Sequence, residues 1–344
     1  MKGEGVNLVA ICLVVALGLS LYVGRMQAAV TLPAEGKQLK RQFYKKMNTC
    51  VNAEAFVKHQ VQLWWAKDKS ITAKLLKLLY ADCLVNGCDA SILLEGPGTE
   101  KKAPQNRRLD GFALIDNIKR TVESRCPLVV SCADILNLAV RDALHLAGAP
   151  SYPVLLGRRD GKDSRATWVD LPPPSISWEK GVDYFKSKGL DEQDYATLLG
   201  AHTMGKAHCS SIYDRLYNWG NTKKPDPSMS KALLEKLRKQ CPKVVVPKKD
   251  PTVFLTEKNG EQYRFTNNYY SNVLTQDSVL RADQELLYGY NTSQLVLEYA
   301  GSFEQLRRQF SLSISRLGGL KVLTGTDGEI RESCRFRNAT EILH

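Results

Sequence analysis

The stretch KLLKLLYADCLVNGCDAS, residues 74–91, decides the reading. Its first half is an apolar helix in which Lys77 and Ala81, four residues apart, share one face. The helix is predicted to end at Asp82–Cys83, where a compact loop begins. Oxygens recur along that loop at near-alternate positions: the carboxylates of Asp82 and Asp89, the carbonyls of Val85 and Gly87, and the hydroxyl of Ser91. A hard cation that takes roughly six to eight oxygens, calcium, suits such a set. A Cys83–Cys88 bridge would close the loop around the ion and limit the cost of ordering it. Without further context the same letters also read as a polar turn with incidental aspartates.

Outward from this stretch, the chain has 344 residues, 43% hydrophobic and 24% charged, an ordinary globular composition that excludes wholesale disorder. That length supports one large domain or two lobes around a sizeable core. Lys2, the apolar run Leu8–Val23, Arg25 and the small residues Ala28 and Ala29 form a secretory signal pattern, so residues 1–29 are expected to be removed near Ala28 or Ala29. The competing reading is an uncleaved anchor; no later segment is long and apolar enough to span a bilayer. Of nine cysteines, Cys12 falls in the signal, and the even remainder in an exported chain implies up to four disulfides rather than free buried thiols. No CxxC occurs and no histidines interleave with the cysteines at ligand spacing, which argues against zinc. Asn291 (NTS) and Asn338 (NAT) are glycosylation sequons. The net charge of +12 is spread along the chain; outside the cell it favours an acidic polysaccharide or membrane surface as partner over nucleic acid.

Three- and four-residue apolar spacing predicts helices over Phe43–Trp65, Ser70–Tyr80, Phe112–Val122, Ala133–Leu146, Trp178–Lys188, Glu192–Leu199, Ser211–Tyr217, Lys231–Gln240, Tyr269–Leu274 and Leu295–Ser315. GPG at 96–98, LPPP at 171–174 and PDP at 225–227 punctuate them. Strand pattern is scarce, with a short hairpin expected within Val244–Phe265. The result is a mainly α globule whose loops are fastened by disulfides.

DCLVNGCDASILL resembles the distal segment of the class III plant secretory haem peroxidases. The resemblance continues, in the family's order, through VSCADILNLAVRDA (130–143), LLGRRDG (155–161), LLGAHTMGKAHC (198–209), RLYN (215–218), ADQELL (282–287) and LTGTDGEIRESC (323–334). Together these cover nearly all of the expected mature chain. The divergent distal segment and the APQNRR region look most similar to the peroxidase 29 subgroup. The resemblance implies a haem peroxidase fold with haem b between a distal lobe, about 30–170, and a proximal lobe, about 171–344. It implies disulfides Cys50–Cys126, Cys83–Cys88, Cys132–Cys334 and Cys209–Cys241, and calcium held by Asp82, Val85, Gly87, Asp89 and Ser91. It also implies His202 as axial iron ligand and Asp283 as the carboxylate that accepts a hydrogen bond from its other nitrogen. Read alone, His202 is simply the histidine that ends TLLGAH beside glycines, and Asp283 could be a solvated charge.

Members of this family carry arginine, phenylalanine and histidine where this chain has Lys77, Tyr80 and Ala81. The histidine takes a proton from peroxide and returns it to the departing oxygen, a role that alanine cannot fill. Lys77 keeps a charge without the planar fork of arginine, and Asn106 keeps the place of the asparagine that would orient the histidine. Thr203 matches a proximal calcium ligand, but Thr266 stands where an aspartate is expected, which puts a second ion in doubt. Pro172 matches a contact for aromatic donors, although LPPP also reads as a rigid turn; Pro104 and Ser211 occupy positions that are aromatic in some relatives. The expected activity is oxidation of phenolic donors by hydrogen peroxide in the extracellular space or cell wall, by a monomer with slow peroxide activation. The alternative is a haem-binding, wall-binding scaffold or sensor without turnover.

Overall fold

The apolar spacing becomes thirteen α-helices and four strands of two or three residues among the described residues of the computed structural model, which are 39–243, 250–256 and 262–339. The helices are α1 (Phe43–Lys46), α2 (Ala53–Lys67), α3 (Ile71–Cys83), α4 (Phe112–Glu123), α5 (Cys132–Leu146), α6 (Trp178–Ser187) and α7 (Glu192–Leu199). They continue as α8 (Tyr213–Tyr217), α9 (Lys231–Gln240), α10 (Asn268–Leu274), α11 (Arg281–Gln284), α12 (Tyr290–Gly301) and α13 (Phe303–Gly318). Strands β1 (Lys40–Arg41) and β2 (Leu155–Leu156) pair antiparallel, as do β3 (Lys206–His208) and β4 (Thr252–Phe254). This is the mainly α fold that the sequence predicts, and residues 35–344 form one unit.

Helix α5 is the hub, because VSCADILNLAVRDA is apolar on nearly every face and twelve of its fifteen helical residues are buried. Helices α2, α3 and α4 pack around it. Leu75, Leu78 and Leu79 of α3 are essentially inaccessible, each contributing about 1.5–3 kcal/mol of apolar burial. The start of α5 is capped from two directions. Ser131 Oγ accepts from the Asp134 N–H at 3.1 Å, and the Asp160 carboxylate accepts from the Cys132 and Ala133 N–H groups at 3.1 and 2.9 Å. Buried Asp134 in turn pairs with Arg158 at 2.8 Å and accepts the Tyr44 hydroxyl at 2.7 Å. LLGRRDG thus serves as a polar anchor for the central helix.

Three sequence expectations need correction. Phe43–Trp65 is two helices, because the chain turns between Lys46 and Ala53 to bring Cys50 to Cys126. Leu295–Ser315 lies in two further helices. Ser302 adopts an extended conformation (φ −140°, ψ 100°), and its hydroxyl caps α13 by accepting from the Gln305 N–H at 3.3 Å. The strand expected within Val244–Phe265 exists as β4, but it pairs with the distant β3, Lys206 opposite Phe254, instead of folding back as a local hairpin. The signal segment, residues 1–29, lies outside the described residues, and among those described no helix is long and apolar enough to cross a membrane.

All four implied disulfides are present: Cys50–Cys126, Cys83–Cys88, Cys132–Cys334 and Cys209–Cys241.

Candidate active site and metal centre

Helix α7 ends in a 3₁₀ turn, Gly200–Met204, that presents His202. The His202 Nδ1 lies 2.8 Å from Asp283 Oδ1, and Asp283 is only 2% exposed on α11. The same Oδ1 accepts the Tyr269 hydroxyl at 3.0 Å. Burial opposes a charge on His202, yet the Asp283 carboxylate and its hydrogen bond outweigh burial and raise the imidazole pKa; the charge of Lys77 acts against them. The side chain of His202 keeps 31% of its surface exposed, which leaves the ring accessible.

Lys77 of α3 lies within electrostatic reach of His202 and of Arg108. Burial, and then Arg108, lower its pKa. Lys74, one turn earlier, is paired with both Asp68 and Asp110, at 3.0 and 2.8 Å; Lys77 has no such partner. Ala81, one turn further along α3, is 1% exposed, and the Tyr80 phenol is held protonated by burial and by Asp170. Asn106 is buried; its Nδ2 donates to the Glu100 carbonyl at 2.9 Å, while its Oδ1 has no hydrogen-bond partner.

These residues fit a haem. His202 presents an accessible, carboxylate-anchored imidazole, with Nε2 left for a ligand.

The loop after α3 is an acidic, buried set. Asp82 is fully buried and receives the Ala90 N–H at 3.0 Å, while Asp89 receives the Ser91 N–H at 3.0 Å. Ser91 Oγ donates to Glu100 Oε2 at 3.3 Å, and Glu100 Oε1 is buried without a partner. Burial first, and then the charge of Asp89, raise the pKa of Asp82 and push that of Glu100 up to about 8. Mutually repelling buried carboxylates with an orphaned oxygen fit a cation. Among the described residues no three His, Cys, Asp or Glu side chains form a metal set by themselves, so the Val85 and Gly87 carbonyls and the Ser91 hydroxyl would have to complete the shell. Gly87 is required in the loop: its φ is +125°, and a Cβ there would stand 2.5 Å from the Lys321 carbonyl oxygen. Arg331 closes the far side, donating to the carbonyls of Ala90 and Asp89 at 2.8 and 3.2 Å.

The second calcium position differs. Thr203 Oγ1 and Thr266 Oγ1 are hydrogen-bonded to each other at 3.0 Å, and Thr266 brings no carboxylate to the position where an aspartate is expected. Pro172 is half-buried in a segment pinned by the Ala282 N–H, which donates to the Pro174 carbonyl at 3.2 Å. Asn291 is exposed, its Nδ2 donating to Glu192 Oε2 at 3.2 Å, and the Asn338 side chain is occupied at both ends, donating to the Ile330 carbonyl and accepting the Glu332 N–H. Sequence reasoning missed Glu100 and Tyr269. Glu100 lies nine residues beyond Ser91 in an ordinary-looking TEKK, and Tyr269 has no chemical signature beyond the NNYY doublet.

Comparison with known proteins matches residues 57–302 to the peroxidase family. Probable peroxidase 26 of Arabidopsis thaliana is 55% identical over 322 residues, 93% of this chain and 96% of that protein. Probable peroxidase 61 of Arabidopsis thaliana is 56% identical over 300 residues, covering 87% and 88%. Peroxidase 1 of Oryza sativa subsp. japonica is 36% identical over 320 residues, covering 90% and 96%.

Proposed function

The chain belongs to the peroxidase family, and from that premise we propose that it is a secreted haem protein that uses hydrogen peroxide slowly to oxidise small phenolic donors. Bound haem b would supply the redox centre. His202 would hold the iron, with Asp283 fixing its tautomer and orientation through the 2.8 Å contact. Lys77 would offer positive charge to a bound oxygen on the distal side. No group at position 81 can take up and return a proton. The observation that carries the reading is a contrast: the His202–Asp283 pair is formed, while Lys77 and Ala81 stand where the family's arginine and histidine are expected.

The test is stopped-flow mixing of haem-loaded protein with hydrogen peroxide. The wild type is expected to react slowly, and Ala81→His with Lys77→Arg to accelerate the reaction by about 10²–10⁴-fold, the usual contribution of a positioned acid–base group. A fast wild type that the double substitution does not improve overturns the proposal.

The finer attributes of this reading are a distal lobe of about 30–170 and a proximal lobe of about 171–344, one calcium in the Asp82–Ser91 loop, Pro172 as a donor contact, and a glycan at Asn291. The buried acidic set supports the calcium, and the four disulfides support an oxidising, extracellular compartment. Kinship with the peroxidase 29 subgroup rests on the distal segment and APQNRR alone; the relatives above bear other names.

A second reading, a wall-binding scaffold without turnover, draws on one surface. Residues 223–243 carry seven exposed Lys and Arg side chains against one exposed acid, Glu235, because Asp226 is buried against Arg215. Such a surface suits an anionic polysaccharide. Donor oxidation measured beside retention on polygalacturonate separates the readings: retention without oxidation favours the scaffold.

A further inference from the structure

The Tyr269–Tyr270 doublet has no part in the chemistry described so far, yet both hydroxyls end at the machinery around His202. Helix α10 buries both rings, in edge-to-face contact at 4.8 Å. The Tyr270 hydroxyl donates to the carbonyls of Ala196 and Thr197 at 2.9 and 3.2 Å, near the end of α7. A Cβ on Gly200 would stand 2.6 Å from that hydroxyl oxygen, so the glycine of LLGAH makes room for it. Tyr270 therefore holds the base of the turn that carries His202. Tyr269 reaches the other partner. Its hydroxyl donates at 3.0 Å to Asp283 Oδ1, the same atom that His202 Nδ1 meets at 2.8 Å, and its ring stands edge-on to the imidazole at 6.1 Å.

A phenol O–H and an imidazole N–H thus share one carboxylate oxygen. An oxygen that accepts two hydrogen bonds donates less strongly to each than it would to one alone. Hydrogen bonds to a ligand's partner carry through to the metal, since the partner sets ligand basicity.

We infer that Tyr269 is a positioning residue of the proximal side: it fixes Asp283 Oδ1 beneath His202 and tempers the electron donation of that imidazole to a bound iron. The inference rests on the reading of His202 as the axial ligand. It assigns a role to a side chain that a merely structural account would treat as core filling.

The experiment uses the full chain loaded with haem and compares wild type, Tyr269→Phe, Tyr270→Phe and Asp283→Asn. The readouts are the ferric–ferrous reduction potential and the iron–imidazole stretching frequency in resonance Raman spectra. Tyr269→Phe is expected to shift the potential to more negative values and raise the stretching frequency, because Asp283 then serves His202 alone. Asp283→Asn is expected to move both readouts the opposite way, and Tyr270→Phe, whose hydroxyl is bonded to the Ala196 and Thr197 carbonyls, to move them by less than Tyr269→Phe does. Unchanged values in Tyr269→Phe, a shift in the direction of Asp283→Asn, or an equal shift in Tyr270→Phe overturns the inference. A wild type that takes up no haem, and so has no Soret band, overturns both this inference and the proposed function. A loaded protein whose potential ignores Tyr269 overturns this inference only.

Discussion

Lys77 illustrates how one side chain can disclose what its neighbours lack. Its charge is opposed by burial and then by Arg108, so its folded-state pKa falls below the ordinary lysine value of 10.5. A proton on Lys77 is therefore bound more tightly by the unfolded chain, and at neutral pH the residue works against folding. That penalty fades as pH rises toward 10.5, where the lysine is losing its proton in both states. Lys77→Met is expected to raise the urea midpoint at pH 7, with the difference from wild type shrinking as pH climbs through 9 and 10; a constant difference contradicts the assignment. Neighbouring residues show what sequence alone makes legible. The lysine at position 77 and the alanine at position 81 are visible in the letters, because reading them needs only a register. The orphaned Asn106 Oδ1 and the bond from Tyr269 to Asp283 are not, because each joins groups whose partners are set by packing.

At the scale of elements, the loop Asp82–Ser91 with Glu100 depends on a cation for its sign of response to pH. In ion-free protein the pKa of Glu100 is pushed up to about 8, and those of Asp82 and Asp89 are raised as well. Raised carboxylates favour the fold fully only below their unfolded values, and that contribution is lost as pH climbs toward 8. Calcium reverses the argument, since it prefers the ionised set. Chelation with EDTA is therefore expected to lower Tm more at pH 8 than at pH 5, measured by calorimetry; an equal loss at both values excludes this loop as the calcium site. The Thr203–Thr266 bond leads to a companion expectation. Metal analysis of the purified protein should find one calcium per chain, and two would show that the proximal position still binds. Most helices are readable from apolar spacing because each buries an apolar face against its neighbours, α2, α3 and α4 against α5. Breaks near Cys50 and at Ser302 are not, since each depends on a partner reached through space or on a cap formed after the backbone has turned. The pairing of β4 with β3 is hidden for the same reason: the two strands are separated by more than forty residues.

Across the whole molecule, the disulfides differ in what they restrain. Cys132 and Cys334 are 202 residues apart, Cys83 and Cys88 only 5. Chain entropy assigns about 5 kcal/mol to the first and about 2 kcal/mol to the second. Replacing Cys132 and Cys334 by serine is expected to lower the urea midpoint much further than replacing Cys83 and Cys88, provided both comparisons are made with calcium present. A larger loss from the short bridge would mean that its role is to shape the ion loop, not to limit the unfolded chain.

The long bridge does not act alone. Arg331 donates to the backbone of Asp89 and Ala90, and the Arg335 carbonyl accepts the Glu95 N–H at 2.9 Å. A ribosome delivers residues 82–95 some 240 positions before these partners. The acidic loop must therefore wait for these partners until the segment around Cys334 has been made. Synthesis of this chain is thus a timing problem: an acidic loop made early is also among the last parts of the fold to be secured.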